Sequence, residues 1–290
     1  AAIIGGHSHS LLGDMDGAVD SYPVMVGDVP VVTAYAYGKY LGKFTATFDD
    51  EGTLTSFEGA PILIDASVAE DEATKARLAE LAGPLEEMKQ TVVSETTEMI
   101  EGSRDVCRAM ECSMGNLITD AMLDRVADQG IEIAIENGGG IRASIDAGEV
   151  TMGEVLTVLP FQNTLSTFEV TGATIVAALE NGVSQVEDGA GRFPQVSGMT
   201  FAWDPAAPVG ARISSVMVAS EDGYVPLDPA ATYLAVTNNY VRNGGDGYKV
   251  FSGDDKNAYD YGPDLADVTA EYLAARSPYQ PYTDGRISRK

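Results

Sequence analysis

Four short runs of this sequence hold side chains able to do chemistry. In Gly5-Gly6-His7-Ser8-His9, two imidazoles sit two residues apart on a glycine-rich turn, where each could reach a metal ion. They are the only two histidines in the chain, and no H-x-x-x-H or Asp-x-His run supplies further ligands. If His7 and His9 bind metal, their partners lie upstream of Ala1; a pair of surface histidines is the other reading. In Asn137-Gly138-Gly139-Gly140-Ile141-Arg142, the glycines let backbone approach a ligand closely, and the arginine can fork onto a phosphate or carboxylate. The run does not fit G-x-G-x-x-G, and a plain glycine turn would look the same. Asn243-Gly244-Gly245-Asp246-Gly247-Tyr248 has the composition of a hairpin turn. With Tyr240 just upstream, it also offers an aromatic face and a carboxylate, which suit the base and sugar hydroxyls of a nucleoside. In Leu159-Pro160-Phe161, Phe161 is either a second stacking face or a core residue.

Cys107 and Cys112 are the only cysteines, in C-R-A-M-E-C. Two sulfurs cannot build a four-sulfur zinc site, so they are either free thiols or a short-loop disulfide.

The elements that must position these groups alternate helix and strand. Residues 1–66 read as β-rich: AAIIGG as a buried strand entering a loop, then strands at Val29–Val32 and Lys43–Phe48, with Asp49-Asp50-Glu51-Gly52 as a hairpin turn. From Ser67 the period changes. Ser67 and Glu70 form a capping-box pattern, Leu78, Leu81, Leu85 and Met88 recur at helical spacing, and Gly83-Pro84 should break or kink the helix. Residues 67–90 are therefore expected to be a helical linker between domains 1–66 and 91–290. In the second domain, Ser113–Val126 should be an amphipathic helix and Ile131–Ile135 a strand leading into the glycine run. Thr151 and Glu154 should cap a helix that stops at Pro160. Further strands are expected at Leu165–Val170, Met199–Trp203, Ile213–Val218 and Tyr233–Thr237.

Composition narrows the partners. A net charge of −26 repels nucleic-acid backbones and anionic lipids and suits a salty medium, while a small anion remains a plausible guest for clustered arginines. No apolar stretch approaches the roughly 20 residues of a membrane span. The chain opens without Met on a strand-like run, which reads as an internal cut, so the missing signal peptide carries no information about localisation.

Taken in order, G-G-H-S-H, V-P-V-V-T-A-Y-A-Y-G-K-Y-L-G, C-R-A-M-E-C-S-M-G-N-L-I-T-D-A-M, N-G-G-G-I-R, L-P-F-Q-N-T-L and N-G-G-D-G-Y resemble the 5′-nucleotidase family along nearly the whole chain. That family includes ecto-5′-nucleotidase and bacterial periplasmic UDP-sugar hydrolases. The resemblance implies an α/β fold: a mixed α/β substrate-binding domain preceded by the end of an α/β/β/α metallophosphatase sandwich. It also implies that His7 and His9 ligate a centre of two divalent ions, zinc, manganese or similar. Arg108 and Arg142 would face the phosphate end and the ribose. Asn137 would bond the base beside the close backbone of Gly139, Phe161 and Tyr240 would sandwich it, and Asp246 would hold the ribose hydroxyls. Cys107 and Cys112 match a family disulfide, which implies a periplasmic or secreted protein.

One departure is large. The family's Asp-x-His pair, bridging Asp, Gly-Asn-His segment and further metal His all lie N-terminal to G-G-H, and none is present. The expectation is the nucleotide-recognition portion of a hydrolase acting on nucleoside 5′-monophosphates, with UDP-sugars or other nucleotide pyrophosphates as further substrates. It should be inactive unless the catalytic segment is supplied, upstream or by another chain. The alternatives are a secreted nucleotide-binding module without catalysis and the 2′,3′-cyclic nucleotide phosphodiesterase branch. The sulfur-oxidising thiosulfohydrolases share the architecture but leave the nucleoside clamp unexplained.

Overall fold

The computed structural model describes residues 1–253 and 256–290 and separates them into two compact units, Ala1–Leu81 and Ala82–Lys290. In the first unit, β1 (Ile3–Ile4), β2 (Val24–Val26) and β3 (Val29–Val32) form a sheet ordered β1-β3-β2, with β1 parallel and β2 antiparallel to β3. The opening strand is not buried as expected: Ile4 is 84% exposed, so among the described residues nothing packs over its side chain, and β1 is an edge strand paired only with β3. A hairpin follows from β4 (Tyr40–Phe48) and β5 (Leu54–Leu63). Its turn is the expected one. Gly52, at φ 80°, donates its N–H to the Asp49 carbonyl at 3.0 Å, and the Asp49 side chain accepts from the Thr53 N–H at 2.7 Å.

Helix α1 (Glu72–Lys89) departs from the sequence reading at its start, and of the break or kink expected at Gly83-Pro84 it excludes the break. It is capped by Asp71, whose Oδ1 accepts from the Thr74 N–H at 2.7 Å, while Ser67 turns back onto Asp65. An aspartate directly before the first turn satisfies a free N–H there, so the Ser67–Glu70 pair is left outside the helix. The helix also runs on through Pro84, which removes one hydrogen bond without ending it. None of its side chains is buried, Leu78, Leu81, Leu85 and Met88 included.

The second unit runs β6 (Val92–Thr96), α2 (Arg104–Cys107), α3 (Ser113–Arg125), β7 (Ile133–Asn137), β8 (Gly148–Thr151), α4 (Met152–Val158), β9 (Leu165–Thr171), α5 (Gly172–Gly182), β10 (Pro194–Ser197), β11 (Met199–Trp203), β12 (Ile213–Ser220), β13 (Gly223–Pro226), β14 (Thr232–Asn238), α6 (Asn239–Arg242), α7 (Leu265–Ala275) and β15 (Ile287–Arg289). Its central mixed sheet is ordered β10-β7-β14-β9, with β7 and β14 parallel and both outer pairs antiparallel. A second sheet is ordered β13-β12-β11-β15, and β6 pairs with β8.

Strand alternation builds a core on each face of the central sheet. Ile133 and Ile135 pack with Phe168, Phe193 and Trp203, whereas Ala134 and Val236 pack with Leu117, Ile118 and Leu273. Helix α3 is buried more completely than one apolar stripe predicts, with Gly115, Asn116 and Thr119 also enclosed. It packs against β7 and β10 on one side and α7 on the other, and the Gln195 side chain from β10 sits where a Cβ on Gly115 would be. The Thr151–Glu154 capping box forms as expected, each residue accepting from the other's N–H, and α4 stops before Pro160.

Candidate functional site

Because β7 and β14 run parallel and adjacent, their C-terminal ends open on the same edge of the sheet, where α/β folds place ligands. Strand β7 ends at Asn137 and runs into Gly138–Gly140; β14 ends at Asn238 and leads through α6 into Gly244–Gly247. The glycines meet steric demands. A Cβ on Gly138 would lie 2.3 Å from the Cys107 carbonyl oxygen, and one on Gly140 would lie 2.4 Å from Glu136 Oε1. The backbone N–H groups of Gly138 and Gly139 are anchored on the carbonyls of Phe193 and Gly191 at 2.8 and 2.7 Å.

Two side chains join the loops. Asn137, buried at the strand end, donates Nδ2–H to Asp246 Oδ2 at 2.7 Å, and the Tyr240 hydroxyl donates to Asp246 Oδ1 at 2.9 Å. Asp246 is half-buried in the left-handed region at φ 50°. The Tyr240 ring lies against Gly245, where a Cβ would come within 2.5 Å of it. Burial, and then the hydrogen bond to Asp246, push the Tyr240 hydroxyl above the ordinary tyrosine pKa. Tyr240 and Phe161 are 47% and 55% exposed, so both keep an open aromatic face; Phe161 is not a core residue. Arg142 connects Phe161 to the glycine run, its guanidinium 5.6 Å from the ring centroid and its Nη1 donating to the Gly139 carbonyl at 3.3 Å.

Positive charge collects beside these groups. Arg108 is buried, donates Nη1–H to the Gly189 carbonyl at 3.1 Å and leaves Nε without a partner. Burial lowers its pKa, followed by repulsion from Arg104 and Arg142, with Asp246 opposing. Arg104 and Arg142 each lie close enough to Arg108 to repel its charge, and such a grouping is suited to an anion. Arg108 is held by its neighbours: Cys107 and Cys112 form a disulfide. Gln195 ties that loop to β10, donating to the carbonyls of Cys107 and Met110 at 3.0 and 2.7 Å and accepting from the Cys112 N–H at 3.1 Å.

The structure thus brings Arg108, Asn137, Gly139, Arg142, Phe161, Tyr240 and Asp246 to one edge of the sheet. His7 and His9 belong to the first unit. Both are exposed, with left-handed φ of 65° and 55°, and the His9 ring meets Tyr37 edge-on at 5.2 Å. Among the described residues, no group of three or more His, Cys, Asp or Glu side chains is placed to hold a metal ion. Even a zinc ion takes about four ligands, so these two imidazoles do not complete a metal centre.

Several residues of the site were not singled out from the sequence. Glu136 is fully buried, and both its oxygens lie 2.9 Å from Asn238 Nδ2; burial pushes its carboxyl up to about 8 against the opposing hydrogen bond from Asn238, with the nearby Asp246 charge adding to the rise. Arg192 donates to Asn181 Oδ1 at 3.2 Å, and Asn181 in turn donates to the Asp246 carbonyl at 3.1 Å. A glutamate inside an otherwise apolar strand next to the glycine run was the available signal for the first; Arg192 lies in a segment without pattern.

The family model for the 5′-nucleotidase C-terminal domain matches residues 91–253. Over 98% of its length, the chain is 40% identical to the trifunctional nucleotide phosphoesterase protein YfkN of Bacillus subtilis. It is 33% identical to the snake venom 5′-nucleotidase of Naja atra, again over 98% of the chain. It spans 19% and 58% of those two proteins. Among solved structures, a 5′-nucleotidase precursor from Thermus thermophilus matches 99% of the chain at 42% identity with a TM-score of 0.73, and the chain covers 59% of it.

Proposed function

This chain belongs to the 5′-nucleotidase family through its C-terminal domain, and from that premise we propose that it binds nucleosides and nucleoside 5′-monophosphates at the shared C-terminal edge of β7 and β14. One observation carries the reading: two exposed aromatic faces, Phe161 and Tyr240, are tied by Arg142 and Asp246 to the same glycine run, with a buried arginine beside it. A base can stack on the aromatic faces, and Asn137 Nδ2 keeps one hydrogen beyond the one given to Asp246. Each Asp246 oxygen keeps a lone pair for a sugar hydroxyl. Arg108 and Arg142 offer donors to a phosphate, and the unpartnered Arg108 Nε suits such an acceptor.

The whole protein is then a hydrolase that releases phosphate from nucleoside 5′-monophosphates, periplasmic or secreted, with a divalent-metal centre to which His7 and His9 contribute. In such a centre the ions polarise the phosphate and activate water. The ligands within residues 1–290 do not suffice for it, so this chain alone binds nucleotide without turnover. Calorimetric titration with adenosine and with AMP tests the binding. Saturable binding of both is expected, lost in Phe161→Ala and Tyr240→Ala, with Arg108→Ala weakening AMP more than adenosine. Absence of binding at millimolar ligand, or binding indifferent to Phe161 and Tyr240, overturns the reading.

A further inference from the structure

We propose that Arg192 and Asn181 are positioning residues that hold the Asp246 carboxylate in place for the sugar hydroxyls, and so set the preference of this site for ribose. The inference rests on nucleoside binding at the site described above.

Asp246 occupies a conformation that its own chain does not favour. In the turn Gly244–Gly247 it is the one residue with a side chain, and its φ of 50° lies in the left-handed region, as do Gly244 at 90° and Gly247 at 83°. A residue with a Cβ keeps that conformation only where contacts enforce it. Four contacts do so here. The Tyr240 hydroxyl accepts from the Asp246 N–H at 3.2 Å and donates to Oδ1 at 2.9 Å, and Asn137 donates to Oδ2 at 2.7 Å. Those three run through residues of the clamp. The fourth comes from the end of α5, where Asn181 Nδ2 donates to the Asp246 carbonyl at 3.1 Å. It alone holds the peptide that joins Asp246 to Gly247. The absence of a side chain at Gly247 permits the approach, since a Cβ there would lie 2.6 Å from Asn181 Oδ1.

The Asn181 amide has a single workable orientation. Arg192 Nη1 donates to Asn181 Oδ1 at 3.2 Å and to Ser184 Oγ at 3.1 Å, and the Ser184 hydroxyl gives its own hydrogen to the Asn181 carbonyl at 2.6 Å. A guanidinium only donates and a carbonyl only accepts. With Oδ1 on Arg192, Nδ2 is left for the Asp246 carbonyl; turned over, the amide would set oxygen against oxygen and N–H against guanidinium. Arg192 thus decides which way Asn181 faces, and Asn181 decides whether the Asp246 carbonyl is held.

Both residues stand on packed elements. Helix α5 buries Ile175, Ala178 and Leu179, and a Cβ on Gly182 would lie 2.7 Å from Pro194 Cδ and 2.9 Å from the Tyr248 hydroxyl. That hydroxyl, on a fully buried side chain, donates to the Arg192 carbonyl at 2.6 Å. The Asp246 turn is therefore tied to Arg192 twice: through Tyr248 to its backbone, and through Asn181 to its guanidinium.

The test compares adenosine with 2′,3′-dideoxyadenosine by calorimetric titration of residues 1–290. The two ligands share the base and differ in the hydroxyls that Asp246 would accept. A hydrogen bond to a charged group is worth about tenfold in affinity, so the wild type should prefer adenosine by about tenfold or more. Arg192→Met keeps a long side chain without a donor. It should bind dideoxyadenosine as the wild type does, with the preference for adenosine reduced to about threefold or less. Arg192→Lys, which keeps a donor, should recover most of the preference. Asn181→Asp keeps a partner for Arg192 but turns an acceptor toward the Asp246 carbonyl, and should lose the preference as Arg192→Met does. A wild-type preference kept in either Arg192→Met or Asn181→Asp overturns the proposal. So does an equal loss of affinity for both ligands in Asn181→Asp, which marks a merely structural contact. Should Arg192→Met fail to fold, Asn181→Asp and Arg192→Lys decide. A wild type that prefers adenosine shows that the site stands, so an unchanged preference in the variants refutes only the role of Arg192 and Asn181. A wild type that binds both ligands alike refutes the sugar role of Asp246 and this proposal with it, and one that binds neither refutes the nucleoside site itself.

Discussion

Replacing Glu136 by Gln should make the C-terminal unit more stable at alkaline pH, by an amount that follows from burial. The native carboxyl keeps its proton up to about 8, whereas an unfolded glutamate releases it near 4.5. Between those values the folded state holds a proton that the unfolded state has lost, so stability falls as pH rises. At about 1.4 kcal/mol per pH unit, the loss amounts to roughly 5 kcal/mol as an upper bound, complete above pH 8 and not yet begun below 4.5. Glutamine has no such proton to lose. Urea unfolding of both proteins between pH 4.5 and 9, followed by fluorescence, measures the difference. The sole tryptophan, Trp203, is 1% exposed in the core of the C-terminal unit, so the signal reports that unit even if the two unfold separately. The stability of the variant relative to wild type should rise steadily from pH 5 to 8 and then level off. Parallel curves across that range would refute a carboxyl that is protonated and buried at neutrality.

Other perturbations probe the frame around the site. Gly138→Ala forces a Cβ within 2.3 Å of the Cys107 carbonyl, backbone that the disulfide and Gln195 hold in place, and should destabilise the unit by about 2–4 kcal/mol in urea unfolding. Removing the disulfide with Cys107→Ala and Cys112→Ala frees a loop of sequence separation 5 and should cost about 2 kcal/mol from chain entropy. Calorimetry should show that the double variant loses more affinity for AMP than for adenosine, because Arg108 sits within the loop. Residues 1–290 supplied with zinc or manganese should release no phosphate from AMP; phosphate release by this chain alone would refute the reading of an incomplete metal centre.

Much of the site was legible because its residues meet constraints that act locally. The glycines at 138–140 sit where backbone, a carboxylate and the Cys107 carbonyl crowd in, and composition alone marks such a turn. The aromatic residues were legible as types but not as exposed or buried: Phe161 could equally have been core, and only the fold leaves it 55% exposed beside Arg142. Misreadings came where a local signal had an equal competitor. Ser67 and Asp71 both offer helix caps, and Asp71 directly precedes the first turn. At Gly83-Pro84 the sequence left a break and a kink open, and the break is excluded because the helix continues through Pro84. The apolar positions on α1 have helical spacing but no buried face within the described residues, so periodicity identified the element and not its partner.

Glu136 shows why the rest was hidden. In sequence it is one polar residue near a strand end, and alternation would send it to solvent. In the fold, β7 is the inner strand between β10 and β14, so every one of its residues is buried and no face is left for a charge. A carboxyl there persists only with a proton and a donor. Asn238 supplies the donor because β14 runs parallel to β7 in a register that sets Val236 beside Ala134 and brings the two strand ends together. These residues are 102 apart in the chain. The pairing is a property of the sheet, and no window along the sequence contains it. The same sheet edge that gathers the clamp residues therefore also sets the proton equilibrium beneath them, so the fall in stability with rising pH should level off near 8, where the folded carboxyl also releases its proton.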